Sequence, residues 1–197
     1  MEKQNNLMSV DKNRRQFSKV GVATPILMTL ASQPVFGGAC LSNMLSGNLS
    51  DPDKGDCGPG WSPGGWGNPV GQIDGMDTID AWASAGFVYG VLDIAGSGCN
   101  PGGQPANNSD CYTGGSMLSS IPGLVGLDGY GGSTSLREII THGQGTDARH
   151  CVTAYLNASL PSINYMLTQQ QVIDLCNGTI PVPGGIPLRT FLDTTWV

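Results

Sequence analysis

The chain predicts a small single domain, mainly α, with long Gly/Pro-rich loops and disulfide staples. Three observations lead there. Helix caps and apolar stripes at helical spacing crowd the C-terminal half. Thirty glycines and thirteen prolines gather in clusters such as Pro63-Gly64-Gly65, Pro101-Gly102-Gly103 and Pro183-Gly184-Gly185. Glycine-rich backbone costs extra conformational entropy to order, and six cysteines supply the staples such a chain needs.

The first element lies outside the fold. Lys12-Asn13-Arg14-Arg15-Gln16-Phe17 precedes a modestly apolar run, Val20 to Ala31, broken by Gly21, Thr24 and Pro25. Paired arginines before such a run read as a twin-arginine translocation signal peptide. The run is too short to span a bilayer, so no membrane span is expected. Residues 1–31 form the signal, with Thr29 and Ala31 the small residues that cleavage requires; cleavage as late as residue 39 is the alternative. Gly37-Gly38-Ala39-Cys40 is close enough to a lipobox to leave lipidation of Cys40 open. A general secretion signal is the other reading of the arginines. Every version places the working protein in the periplasm, at the cell surface or in the extracellular medium.

The signal carries five cations against two anions, a net of +3, so the −6 of the whole chain leaves −9 on the remainder. Its only cations are Lys54, Arg137, Arg149 and Arg189. A chain this acidic repels phosphate backbones and anionic lipid headgroups, which argues against nucleic-acid binding. Such acidity suits an extracellular protein that stays soluble or collects divalent cations. The chain reads as secreted, acidic and glycine-rich, with a structural protein among its readings.

Residues 32–68 read as an irregular N-terminal arm or loop region and 69–197 as a helical core domain. The first core helix is predicted from Asp77 to about Tyr89, with Ile79, Trp82, Ala83, Phe87 and Val88 as its stripe. Residues 91–132 read as loops with a short helix at 116–121. Ser135-Leu136-Arg137-Glu138 is a capping box, Thr146 caps a second helix through Cys151 and Leu156, and Thr168-Gln169-Gln170-Gln171 caps a third that stops at Asn177-Gly178.

The cysteines fall into neighbouring pairs: Cys40 with Cys57, Cys99 with Cys111, and Cys151 with Cys176. An even count in an exported chain argues for disulfides over a metal cluster, since no C-x-x-C spacing occurs. Cys99 and Cys111 bracket turn residues only. Cys151 and Cys176 would face each other across an antiparallel helix pair.

Trp61-Ser62-Pro63-Gly64-Gly65-Trp66-Gly67-Asn68, then Ala148-Arg149-His150-Cys151-Val152-Thr153-Ala154-Tyr155-Leu156-Asn157-Ala158, then Asn164-Tyr165-Met166-Leu167-Thr168-Gln169-Gln170-Gln171-Val172-Ile173 carry a resemblance. In order and spacing they resemble small modules of secreted bacterial proteins marked by a Ser-Pro-Gly-x-Trp-x-Asn motif. Gly65 and Gly67 replace the aromatic and lysine common there, and Cys151 and Cys176 replace small or aliphatic residues. The function of those modules is unsettled, so the resemblance implies location and architecture rather than chemistry.

Candidate chemistry is sparse. Asp51, Asp53 and Asp56 are spaced like calcium ligands, although Ser62 stands where a calcium loop places its bidentate carboxylate. Asp74, Asp77 and Asp80 form a second acidic group that equally suits a helix start. His142, Asp147 and His150 are the set for a transition metal or a general base. No Gly-x-Ser-x-Gly elbow and no phosphate-cradling loop occurs, and Glu138 is the one glutamate after the signal. Trp61 and Trp66 are either a stacking platform for sugar rings or plugs of a loop-rich core.

With no catalytic residues assembled, the sequence favours an exported structural or interaction module, self-associating in a surface layer, filament or matrix. Its partners would be further copies or other surface proteins. A metal-dependent periplasmic enzyme or cofactor carrier, holding calcium or a transition metal, is the first alternative. A module binding polysaccharide through Trp61 and Trp66 is the second.

Overall fold

The computed structural model describes residues 58–95, 99 and 104–197. Cys40, Asp51, Asp53, Asp56 and Cys57, like the signal, lie outside them. In chain order the described elements are α1 (Pro63–Gly67), β1 (Gln72–Ile73), β2 (Met76–Asp77), α2 (Thr78–Ser84), β3 (Val91–Leu92), β4 (Tyr112–Thr113), α3 (Leu136–His142), α4 (Asp147–Ser159), α5 (Gln169–Cys176) and α6 (Leu188–Asp193).

This architecture corrects the mainly α expectation. Among the described residues, α and 3-10 turns together take 46% and strand or bridge 11%. The helix predicted over 77–89 stops at Ser84, and the one at 116–121 is a 3-10 turn, Leu118–Ser120. Two antiparallel pairs account for the strand. β1 and β2 form a hairpin in which Gln72 faces Asp77 and Ile73 faces Met76. Its turn residues, Asp74 and Gly75, take φ of 51° and 77°, the left-handed values a two-residue hairpin turn favours. β3 and β4 pair Val91 with Thr113 and Leu92 with Tyr112. Strands of two residues have no periodicity to read, which is why propensity alone passed over them.

α4 is the central helix, packed by α3, α5 and α6. Its first turn is capped by Thr146 Oγ1, which accepts from Arg149 N. Thr168 and Gln171 cap α5 reciprocally, and Gly178 past its end takes a φ of 67°. The apolar stripe of α4 (Ala148, Cys151, Val152, Leu156) is buried together with Leu136, Ile139 and Ile140 of α3. The disulfide Cys151–Cys176 joins α4 to α5 with Cα atoms 6.1 Å apart.

Residues 58–68 end the predicted arm, yet they are built into this core. Trp66 is fully buried. Asn157, also fully buried on α4, binds the segment three times. Its Oδ1 accepts from Trp61 N at 2.8 Å and from Trp66 Nε1 at 2.9 Å, and its Nδ2 donates to Trp61 O at 2.9 Å. Gly60 passes so near that a Cβ there would lie 2.5 Å from the Asn157 side chain and 2.8 Å from the Tyr165 ring. The other side of the segment pairs with the 195–197 stretch: Gly60 N donates to Thr195 O at 2.8 Å, and Val197 N to Gly60 O at 3.0 Å.

A five-residue helix cannot satisfy its own last carbonyls, so side chains do it for α1. Trp82 Nε1 donates to Trp66 O at 3.0 Å and Tyr89 Oη to Gly67 O at 2.7 Å. The same rings pack edge-on in series: Trp66 on Trp82, Trp82 on Tyr89 and Tyr89 on Tyr112, at centroid distances of 6.0, 5.4 and 5.0 Å. Each such pair contributes about 0.5–1.5 kcal/mol beyond its area.

Two predictions follow from this packing. Asn157→Ala strands the Trp66 indole N–H and two Trp61 backbone groups; stability measured by urea unfolding should fall by about 2–4 kcal/mol, and a loss below about 0.5 kcal/mol would remove Asn157 from this role. Burial raises the Tyr89 and Tyr165 hydroxyls above their ordinary value of 10.0. Below pH 10 both folded and unfolded chains keep these protons, and the contribution is whole. Above it the unfolded chain ionises first, so stability should decline with rising pH. Unfolding followed across the alkaline range should show that decline, flattened in Tyr89→Phe and in Tyr165→Phe.

Candidate functional site

The histidines predicted to share a metal do not converge. His142 ends α3, and its Nε2 meets Asp110 Oδ1 at 2.9 Å. His150, one turn into α4, turns the other way. Its Nδ1 faces Thr146 O at 2.9 Å, its Nε2 faces Asp193 Oδ1 of α6 at 3.2 Å, and Trp196 covers its ring at a centroid distance of 5.7 Å. Asp147 pairs with Arg189, Nε to Oδ1 at 3.1 Å. The three residues thus sit in three separate pairs, each with a partner on a different part of the chain. Among the described residues no three His, Cys, Asp or Glu side chains are placed to hold a metal ion, whereas a zinc site takes three or four protein ligands. Asp74, Asp77 and Asp80 serve the hairpin turn, the α2 N-cap position and the first α2 turn.

Trp66 is no sugar platform. Its ring is sealed in the core and its one polar atom is bound by Asn157. Trp61 remains half-buried, with both backbone polar groups held by the same amide. Of the two readings of this loop, the plug describes Trp66.

What the sequence did not single out is β3. Successive side chains of a strand point to opposite faces, and here both are exposed: Val91 at 70% and Leu92 at 43%. Val88 and Ile94, on either side of the strand, are exposed as well, Ile94 at 65%. β3 pairs with β4 alone among the described residues, so its second edge offers unpaired backbone groups. A run of hydrophobic residues beginning at Phe87 was the signal in the sequence; its start coincides with the end of the predicted helix, and Val91, Leu92 and Ile94 fall in the predicted loops.

The strand is held rigidly from beneath. Ser116 N donates to Val88 O at 2.8 Å, and Asp93 N to Cys111 O at 2.6 Å. Tyr112 turns inward onto Tyr89 and donates its hydroxyl to Ala106 O at 3.2 Å. The disulfide Cys99–Cys111, Cα atoms 4.3 Å apart, closes the loop between the two strands directly at the start of β4. α3 grips the same turn: buried Arg137 donates from Nη1 to Ser109 O at 2.7 Å, one residue from the Asp110–His142 pair. Among the described residues no helix is long and apolar enough to cross a membrane, so the apolar strand stands on a body with no membrane-spanning helix there.

Comparison with protein families, curated proteins and solved structures finds no match to this chain.

Both disulfides among the described residues constrain the unfolded chain, and the longer loop gives the larger effect. Replacing Cys151 and Cys176 together by Ala should lower stability in urea unfolding by about 2–4 kcal/mol. Cys99→Ala with Cys111→Ala should cost less globally, while amide exchange accelerates first in β3 and β4.

Proposed function

We propose that the protein is an exported structural or interaction module that associates with further copies of itself through β3. One observation carries this reading: a strand whose second edge is unpaired among the described residues, with exposed apolar side chains on both faces, tied down by the Cys99–Cys111 disulfide and by the Arg137 bond to Ser109. An open hydrophobic edge is a template for pairing with another strand, and exposed apolar clusters mark interaction surfaces. The twin-arginine-like segment and the two disulfides support the exported location, since disulfides persist in oxidising compartments. The resemblance to modules of secreted bacterial proteins supports the same location. The metal-dependent reading loses one of its candidate sets, because His142, Asp147 and His150 each meet a different partner.

Light scattering after size exclusion tests this on the oxidised, processed protein over a range of concentrations. The wild type should form dimers or larger species, and Val91→Lys should shift it to monomer with an unchanged melting temperature. Val125→Lys, at an exposed site elsewhere, should leave association intact. A wild type that stays monomeric at every concentration, or a Val91→Lys protein that still associates, would overturn the reading.

A further inference from the structure

Between the C-terminal end of α4 and the N-terminal end of α5 lies an open cleft of about 510 Å³, inside the range of roughly 300–1,000 Å³ typical of small-molecule sites. Ser159, Leu160, Asn164, Tyr165, Thr168 and Gln169 are among its lining residues, and none of the lining side chains carries a charge. In so acidic a chain that neutrality sorts ligands. A cation would meet no carboxylate, and an anion no lysine, arginine or histidine. A wholly apolar ligand would cover the amides of Asn164 and Gln169 without giving them partners. A neutral ligand rich in hydroxyl groups fits the lining.

The polar groups are already aimed. The Gln169 amide is held at both ends: its Nε2 donates to Ser159 Oγ at 2.9 Å, and its Oε1 accepts from Tyr155 Oη at 3.5 Å. One N–H and one oxygen lone pair of that amide stay free for a ligand hydroxyl, at little ordering cost because the side chain is fixed beforehand. Tyr155 lies four residues before Ser159 and so shares its face of α4. Its half-exposed ring packs edge-on against Phe87 at 6.2 Å, outside the cleft lining.

We propose that this cleft binds a short neutral oligosaccharide, with Gln169, Asn164 and Ser159 as hydrogen-bonding groups. The site is separate from β3 and stands whether or not the protein associates. It also moves the carbohydrate reading away from Trp66, whose ring is unavailable.

Backbone amide NMR on the oxidised, processed protein, titrated with cellotriose and with chitotriose, tests the proposal. At least one of the two should give saturable shifts centred on residues 159–170, with a dissociation constant of about 1 mM or below. Gln169→Ala should weaken that binding about tenfold. Asn164→Ala, at an exposed side chain, is the second variant and should weaken binding without altering the melting temperature. Saturable shifts from neither sugar would overturn the assignment. So would binding that both variants leave unchanged, or tighter binding of triglycine or of a trigalacturonate than of either neutral sugar.

Discussion

The fold hangs on one carboxamide. Asn157 is fully buried on the central helix and satisfies three polar groups of the 61–66 segment that have no other partner among the described residues. A carboxamide suits this place because it accepts and donates at once, with no charge to desolvate. Through it a five-residue helix, too short to persist alone, becomes the lid of the core. The lid then carries Trp66 inward and presents its last carbonyls to Trp82 and Tyr89. The aromatic series continues to Tyr112, so one amide on α4 is linked by contact to the base of β4.

That linkage explains how a chain with so many glycines keeps one conformation. Regular elements are few and short; their ends, not their lengths, are secured. The Thr168–Gln171 reciprocal cap, the indole and phenol donors on α1, and the Arg137 bond to Ser109 each close an element terminus. The disulfides act at two scales. Cys151–Cys176 fastens the main helix pair, and Cys99–Cys111 fastens the loop that returns the chain from β3 to β4.

Local chemistry was legible in the sequence, and distant chemistry was not. The caps at Ser135, Thr146 and Thr168 depend on partners three residues away, and the C-terminal helices follow from them. Asp74-Gly75 is a hairpin signature, but it was read as acidic helix-start character. The partners of Asn157 lie 91 and 96 residues away, beyond any pattern in one chain, although the residue stands in the segment of resemblance. The same limit applied to His142 and His150. Their nearness along the chain suggested a shared ligand, while helix direction gave each an aspartate on a different element.

The pairing of Gly60 with residues 195–197 has a consequence for the order of assembly. The strip that locks the 58–62 segment from outside, residues 195–197, is made long after that segment. The Gly60 bridge to Trp196 can close only once that stretch has emerged, however early α4 and α5 form. Until then the lid is held from one side only, by Asn157. Closure of this flank therefore waits on the synthesis of residues 195–197, and a nascent polypeptide that stops short of them keeps one flank of its glycine-rich segment open.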